Sequence, residues 1–123
     1  MRGNAPLKNI AIVDHAPQGQ YMAPEFELFR QLFESNGIAA RIADPADLVW
    51  DGVALNCRGQ RIDLIYNRLT DFALESPENA DLRAAYEADG VVLTPHPRAH
   101  ALYADKRNLV LLSDEGTLIE LGV

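Results

Sequence analysis

Short apolar runs alternate with amphipathic helical stretches along this chain of 123 residues, and this alternation restricts the fold more than any other feature. The first run, NIAIV over 9–13, is almost continuously apolar, which is typical of a strand buried on both faces of a parallel sheet. Apolar side chains at helical spacing follow over 23–36, and further apolar runs occur at 38–42, 64–66 and 91–93. The pattern predicts an α/β fold with an open, mainly parallel sheet flanked by helices.

The predicted helix over 23–36 has an aromatic face that indicates packing on the sheet. Its large apolar side chains recur at helical spacing: Met22, Phe26, Phe29 and Phe33. Asp44-Pro45 predicts a capped short turn that continues to Trp50. Gly59 predicts a small β-hairpin insertion over 53–62, and a second helix is expected between Ser76 and Gly90.

The charge of the chain excludes two classes of partner. There are 18 acidic and 11 basic residues, which gives a net charge of −7, so we expect neither nucleic acid nor an anionic membrane surface as a partner. No apolar run approaches the roughly 18 residues of a membrane span. The single cysteine, Cys57, cannot form an internal disulfide and is expected to be a small packed residue, which fits a cytoplasmic protein.

Polar residues follow three of the predicted parallel strands, where ligands bind in open sheets of this kind. They are Asp14-His15, Asn67-Arg68 and Thr94-Pro95-His96. Neither a G-x-G-x-x-G nor a P-loop motif is present, which disfavours a dinucleotide or P-loop site. Asp14 has no acidic neighbour with which to hold Mg²⁺, so a loop-capping role is favoured over phosphate acceptance.

The spacing of two histidines leaves a metal site to be weighed against a structural role. His96 and His100 are four residues apart and could ligate a metal together with His15. Pro97 stands where the glutamate of an H-E-x-x-H motif would be, and structural histidines near a helix start are therefore favoured. We assign no metal ligand and no catalytic residue from the sequence.

Two basic residues have alternative interpretations that the pattern leaves open. Arg68 ends a buried strand, where its guanidinium could bind a substrate carboxylate or phosphate, or form an ion pair with Asp71 or Asp63. Lys106 is expected on a helix, on the face of that helix that packs on the core. Its stem could lie along apolar surface, or its ammonium could enter a cleft and meet a phosphate. Because Asp105 and Arg107 flank it, Lys106 could also belong to the general surface charge.

The stretch over 62–109 resembles a segment of the ATP-grasp ligases, notably the glutathione-synthetase-like group. In that group a strand ending in arginine leads through a loop to a helix. A further strand then ends in an asparagine–proline or similar pair, and an acidic residue with lysine follows. These features correspond here to Arg68, to Thr94-Pro95 and to Asp105-Lys106, with threonine in place of asparagine. Because the beginning of the chain is similar to the opening of the same N-terminal domain, the resemblance implies a Rossmann-like pre-ATP-grasp domain.

The resemblance also implies a reaction and its participants. In the family, ATP phosphorylates a carboxylate with the help of Mg²⁺, and an amine then displaces the phosphate from the acyl phosphate. ATP would be contacted by Lys106, and the acceptor substrate would be positioned by Arg68 and Asn67. Small carboxylate and amine substrates are the implied partners.

The chain departs from the family in what it lacks. The second lysine, the glycine-rich loop and the Mg²⁺ ligands of the central and C-terminal domains are not found in it. We therefore expect residues 1–97 to form the pre-ATP-grasp domain and 98–123 to begin the next, with the remaining ATP-grasp domains as partners. Alone the chain is expected neither to ligate nor to bind ATP tightly. The alternative is a stand-alone, flavodoxin-like module that binds a ligand or partner without catalysis, and the apolar C-terminal residues also favour self-association.

Overall fold

The computed structural model describes residues 6–122, which form an α/β fold with two sheets. The strands are β1 (Asn9–Val13), β2 (Ala39–Ala43), β3 (Leu48–Trp50), β4 (Leu55–Cys57), β5 (Gln60–Arg61), β6 (Leu64–Asn67) and β7 (Val92–Thr94). Four of them form a parallel sheet in the order β2-β1-β6-β7, and the other three form an antiparallel sheet in the order β3-β4-β5. The predicted α/β class, parallel sheet and hairpin are confirmed.

Helices connect and flank these strands. They are α1 (Ala23–Ser35), α2 (Ala80–Glu87), α3 (Pro97–Tyr103), α4 (Asn108–Leu111) and α5 (Glu115–Glu120). Single 3₁₀ turns over 17–19, 45–47 and 77–79 each begin near a proline, whose fixed φ suits a first helical position. Across 6–122 the longest and most apolar helices fall short of what crossing a bilayer requires.

The two faces of the parallel sheet are covered by different elements, because side chains alternate along a strand. On one face, Phe29 of α1 meets Tyr66 of β6 edge to face, with ring centroids 5.1 Å apart. Phe26 of α1 is buried, so the predicted packing of the aromatic face on the sheet is confirmed. On the other face, side chains such as Val13 and Ile65 join a larger core with the antiparallel sheet and α2.

The sequence missed β3. Residues 48–50 were expected to complete a short turn, but they form a strand that pairs with β4. Leu48 is buried and Val49 is exposed, which is the alternation of a strand with one face in the core. The single turn before it, capped by Asp44 through the Ala46 amide, is as predicted.

The helical region after Pro95 also differs from the prediction. It is divided into α3, α4 and α5, and Lys106 lies in the turn between α3 and α4. Leu102 and Val110 are mostly exposed, so the expected core-packed helix face is wrong. The break occurs where the Asp105 carboxylate accepts a hydrogen bond from the Arg107 amide at 2.9 Å, a local turn that competes with a helix.

We expect Gly90→Ala to destabilise the fold by about 1–3 kcal/mol, because it would overpack the contact between α2 and β3. A Cβ at Gly90 would lie 2.3 Å from Cη2 of Trp50. Urea unfolding followed by Trp50 fluorescence measures the loss. Gly19→Ala is the matched control, since no atom lies within 4 Å of a Cβ there. Equal unfolding midpoints for the two variants would contradict the expectation.

Candidate functional site

The candidate site lies at the carboxyl ends of the parallel strands, where the chain changes direction across the sheet. From β1 the chain moves to β2 on one side, whereas β6 and β7 lie on the other side of β1. The loops after β1 and β6 therefore diverge and leave a crevice between them, which is where open α/β sheets bind ligands. We call this the switch-point crevice and define it by Asp14, His15, Glu25, Arg68 and Glu78.

Arg68 is held in the crevice by aromatic rings rather than by close hydrogen bonds. Its guanidinium carbon lies 5.9 Å from the ring centroid of Phe26 and 5.6 Å from that of Tyr66. Its Nη1 is 3.4 Å from the Tyr66 hydroxyl, and its Nη2 is 3.5 Å from Oε1 of Glu25. The alternation of β6 explains the placement, because residues 66 and 68 both face α1.

The ion pairs considered for Arg68 from the sequence are wrong, and its actual partner is Glu25 in the first turn of α1. Asp63 precedes β6 at the opposite end, roughly 16 Å along an extended chain from Arg68. The Asp71 carboxylate instead accepts hydrogen bonds from the Ser76 amide and the Asn79 side chain, both at 2.8 Å. The available signal was the two-residue period of β6, which directs Arg68 towards α1.

Asn67 connects the carboxyl ends of β6 and β7. Its side chain is buried, donates from Nδ2 to the Pro95 carbonyl at 3.2 Å and accepts from the Leu69 amide at 3.1 Å. The Thr94–Pro95 peptide bond that it supports is cis. These bonds fix the strand ends beside Arg68, and the binding of substrate by Asn67 itself stays a prediction.

The other charged groups of the crevice come from the loops on either side. Oδ1 of Asp14 accepts from the His15 amide at 2.8 Å, so the favoured loop-capping role is confirmed. Nε2 of His15 lies 3.6 Å from Oε1 of Glu78. Arg68 is thus paired with Glu25 and His15 with Glu78, and the sequence had not drawn attention to either glutamate.

Lys106 stands apart from the crevice and is exposed to solvent. Its ammonium makes no hydrogen bond or ion pair with any residue in 6–122, whereas Arg107 beside it is bonded to Asp105. The hydrogen bond from the Arg107 guanidinium holds the pKa of Asp105 below its usual value. The interpretation in which the lysine stem lies along apolar surface on a core-packed helix face is therefore wrong. The exposed position of Lys106 fits general surface charge, and its contact with phosphate stays a prediction.

The two C-terminal histidines have structural contacts. Nδ1 of His96 accepts from the Ala99 amide at 3.1 Å and caps α3, which confirms the expected structural role for this residue. His100 stacks on Phe72 with ring centroids 3.9 Å apart, at the edge of a cavity of about 650 Å³. Within the part of the chain that the structure describes, no three His, Cys, Asp or Glu side chains are grouped to hold a metal ion.

A cavity of about 760 Å³ adjoins the crevice at Phe26 and extends under α1. Its charged groups serve the structure: Nη2 of Arg58 is 2.7 Å from Oδ2 of Asp47 and holds the pKa of Asp47 below its usual value. The Asp44 carboxylate accepts from the Ala16 amide at 2.8 Å and caps the following turn. Arg68 does not line this cavity.

Cys57 is excluded from the site by its position. It is fully buried in the core between the sheets, and burial raises the pKa of its thiol. A thiol held protonated and inaccessible is a poor nucleophile, so the expected packing role is confirmed.

No family model matches the chain, and no curated protein matches it in sequence. Its function is therefore inferred from the geometry of the crevice and from the sequence pattern over 62–109.

Proposed function

We propose that this chain is the pre-ATP-grasp, substrate-side domain of an ATP-dependent carboxylate–amine ligase. The observation that carries the proposal is Arg68 at the carboxyl end of β6, held on two aromatic rings in the switch-point crevice. It is the arginine on which the resemblance over 62–109 depends. A guanidinium in that position suits the carboxylate of a small substrate, because it offers two parallel donors to two oxygens.

The strand order supports a Rossmann-like fold of the kind that the proposal requires. In chain order the parallel strands lie second, first, third and fourth across the sheet. The same order begins the flavodoxin-like sheet, which also binds its ligand at the switch point. The sheet order therefore favours ligand binding at this edge under both the ligase proposal and the alternative of a stand-alone binding module.

The C-terminal helices support a catalytic partner domain. Large apolar side chains on them are more than half exposed, among them Leu102, Leu109, Val110 and Ile119. Such a patch is typical of a surface that another domain covers. We propose that 1–97 is the pre-ATP-grasp domain and that 98–123 leads into the ATP-grasp domains that cover this patch.

Under this proposal Arg68 and Lys106 have separate roles. Arg68 binds and orients the acceptor carboxylate, and Asn67 fixes the strand ends beside it. Lys106 contacts the ATP phosphates through its ammonium, which is paired with no residue in 6–122. Because the described residues include no carboxylate set for a metal, Mg²⁺ would be bound by the partner domains. ATP and Mg²⁺ supply the phosphoryl transfer that activates the carboxylate.

A kinetic comparison tests the role of Lys106. We expect Lys106→Ala in the full natural gene product to abolish ATP-dependent ligation or to raise the KM for ATP, measured as ADP release that requires a carboxylate and an amine. Arg107→Ala is the matched control, because it removes a neighbouring positive charge that is already paired with Asp105. Unchanged kinetics for Lys106→Ala, or the same loss in both variants, would contradict the assignment.

The intact mass of the protein made from the natural gene distinguishes the two candidate functions. A mass well above 13.6 kDa, measured by mass spectrometry after enrichment from source cells, would support a ligase with further domains. A mass of 13.6 kDa would contradict it and support the stand-alone, flavodoxin-like binding module.

A further inference from the structure

We infer that Glu25 occupies the carboxylate position of the switch-point crevice and is displaced from Arg68 when a carboxylate ligand binds. The inference deepens the proposed function and depends on it for treating the crevice as the substrate site. It adds a residue, Glu25, that the sequence did not indicate, and it selects carboxylate over phosphate as the ligand of Arg68. Glu25 would act as an internal competitor that sets the affinity of the site.

The first argument is the length of the Arg68–Glu25 ion pair. Its nitrogen and oxygen are 3.5 Å apart, beyond the usual distance of about 2.7–2.9 Å for a charge-assisted hydrogen bond. Four other arginines of the described chain form ion pairs of 2.5–2.8 Å: Arg30, Arg58, Arg83 and Arg107. Arg68 is therefore the paired arginine whose hydrogen-bonding capacity is least used.

The second argument is that Arg68 keeps its place without Glu25. The rings of Phe26 and Tyr66 hold the guanidinium by cation–π contact. The side chain of Arg68 is 30% exposed, so a ligand can reach it without opening the core. A donor that is fixed by stacking and open to solvent loses little conformational freedom on binding, which favours affinity.

The third argument concerns the fate of Glu25 after displacement. It lies in the first turn of α1, where the helix dipole stabilises a carboxylate whether or not Arg68 is near. Its side chain is also 30% exposed and can turn towards solvent. The contact with Arg68 can be exchanged for a ligand contact at small cost, because partly exposed ion pairs contribute little to stability.

The geometry also indicates the class of ligand. The group that already faces Arg68 is a planar carboxylate on a flexible stem, so the space before the guanidinium accepts that shape. We therefore assign the position to a small carboxylate rather than to a phosphate.

The test measures binding of succinate and of inorganic phosphate by the whole chain, at neutral pH and matched ionic strength, from the NMR shifts of the backbone amides of residues 66–69, which every variant retains. We expect Glu25→Gln to bind succinate about two- to fivefold more tightly than the natural sequence, because a competing ion pair is removed. Arg68→Gln should lose the binding. Glu27→Gln is the matched control, since it removes the same charge from α1 at a residue that pairs with Arg30 instead.

The outcomes separate this inference from the proposed function. Equal succinate affinity in Glu25→Gln and Glu27→Gln would overturn the role of Glu25, and tighter binding of phosphate than of succinate would overturn the ligand class. Succinate binding that survives in Arg68→Gln would place the anion elsewhere. Absence of succinate binding by the natural sequence would overturn the inference. The binding measurement uses no ATP, so its result is distinguishable from that of the ligase assay, which tests the proposed function.

Discussion

Phe26→Ala should reduce the free energy of unfolding by about 3–5 kcal/mol, the largest change that we expect from one side chain. Phe26 is 1% exposed and packs between α1 and the parallel sheet. Its loss removes buried apolar surface and leaves a cavity that the surrounding strands cannot close. Because small domains are stable by only about 5–15 kcal/mol, this is a large share of the total.

Two further variants test whether the loss of stability comes from the burial of Phe26. Leu28→Ala, on the same helix but 66% exposed, should change stability by no more than about 0.5 kcal/mol. Phe26→Leu should reduce the free energy of unfolding by less than about half of the reduction in Phe26→Ala, because leucine retains most of the buried volume. Urea unfolding followed by Trp50 fluorescence measures all three, and equal losses for Phe26→Ala and Leu28→Ala would contradict the assignment of Phe26 to the core.

Sequence reasoning located the helices and strands whose structure is determined by their own residues. The apolar run of β1 and the helical spacing of α1 predicted the observed bounds to within a residue, and Gly59 marked the hairpin turn. These signals are local: continuous burial, amphipathic period and a left-handed turn position. The α/β class followed from them because consecutive units of this kind form a parallel sheet.

The features that the sequence did not locate depend on contacts between distant segments. β3 has three residues, too few for a two-residue period to stand out, and it is stabilised by pairing with β4. Glu25 is 43 positions before Arg68, so their meeting depends on α1 crossing the end of β6. The break before α4 arises from a local bond of Asp105 that apolar spacing does not reveal.

The loop after Arg68 is organised by one carboxylate, that of Asp71. Its two oxygens accept from the Ser76 amide at 2.8 Å, from Nδ2 of Asn79 at 2.8 Å and from the Glu75 amide at 3.1 Å. Burial by itself would raise the pKa of Asp71, but these donors outweigh it and lower the pKa to about 2. Asn79 is fully buried, and within residues 6–122 its Oδ1 has no partner, so its one side-chain hydrogen bond there is the one that it donates to Asp71.

We therefore expect Asp71→Asn to destabilise the fold by about 1–3 kcal/mol at neutral pH, because one of the two accepting oxygens becomes an NH2 donor. Whichever way the new amide is turned, at least one of the donors from Glu75, Ser76 and Asn79 then faces another donor. The loss should also depend on pH. A carboxyl whose pKa is lowered on folding stabilises the fold above its unfolded pKa of 3.8, and this contribution disappears as the pH falls towards about 2. The gap between the natural sequence and the variant should consequently narrow over that range.

Urea unfolding midpoints, determined at a series of pH values from neutral to about 2, measure this difference in stability between the natural sequence and Asp71→Asn. Asp105→Asn is the matched control, because Asp105 is a paired carboxyl in the exposed turn before α4, and we expect a much smaller loss of stability from it at neutral pH. If the difference in stability between the natural sequence and Asp71→Asn did not change with pH, the packing of the Asp71 side chain rather than its charge would stabilise the loop. A loss no greater than that of Asp105→Asn would mean that the loop beside Arg68 is held by its apolar contacts, in which case Leu69 and Leu74, both buried, would be the residues that position it.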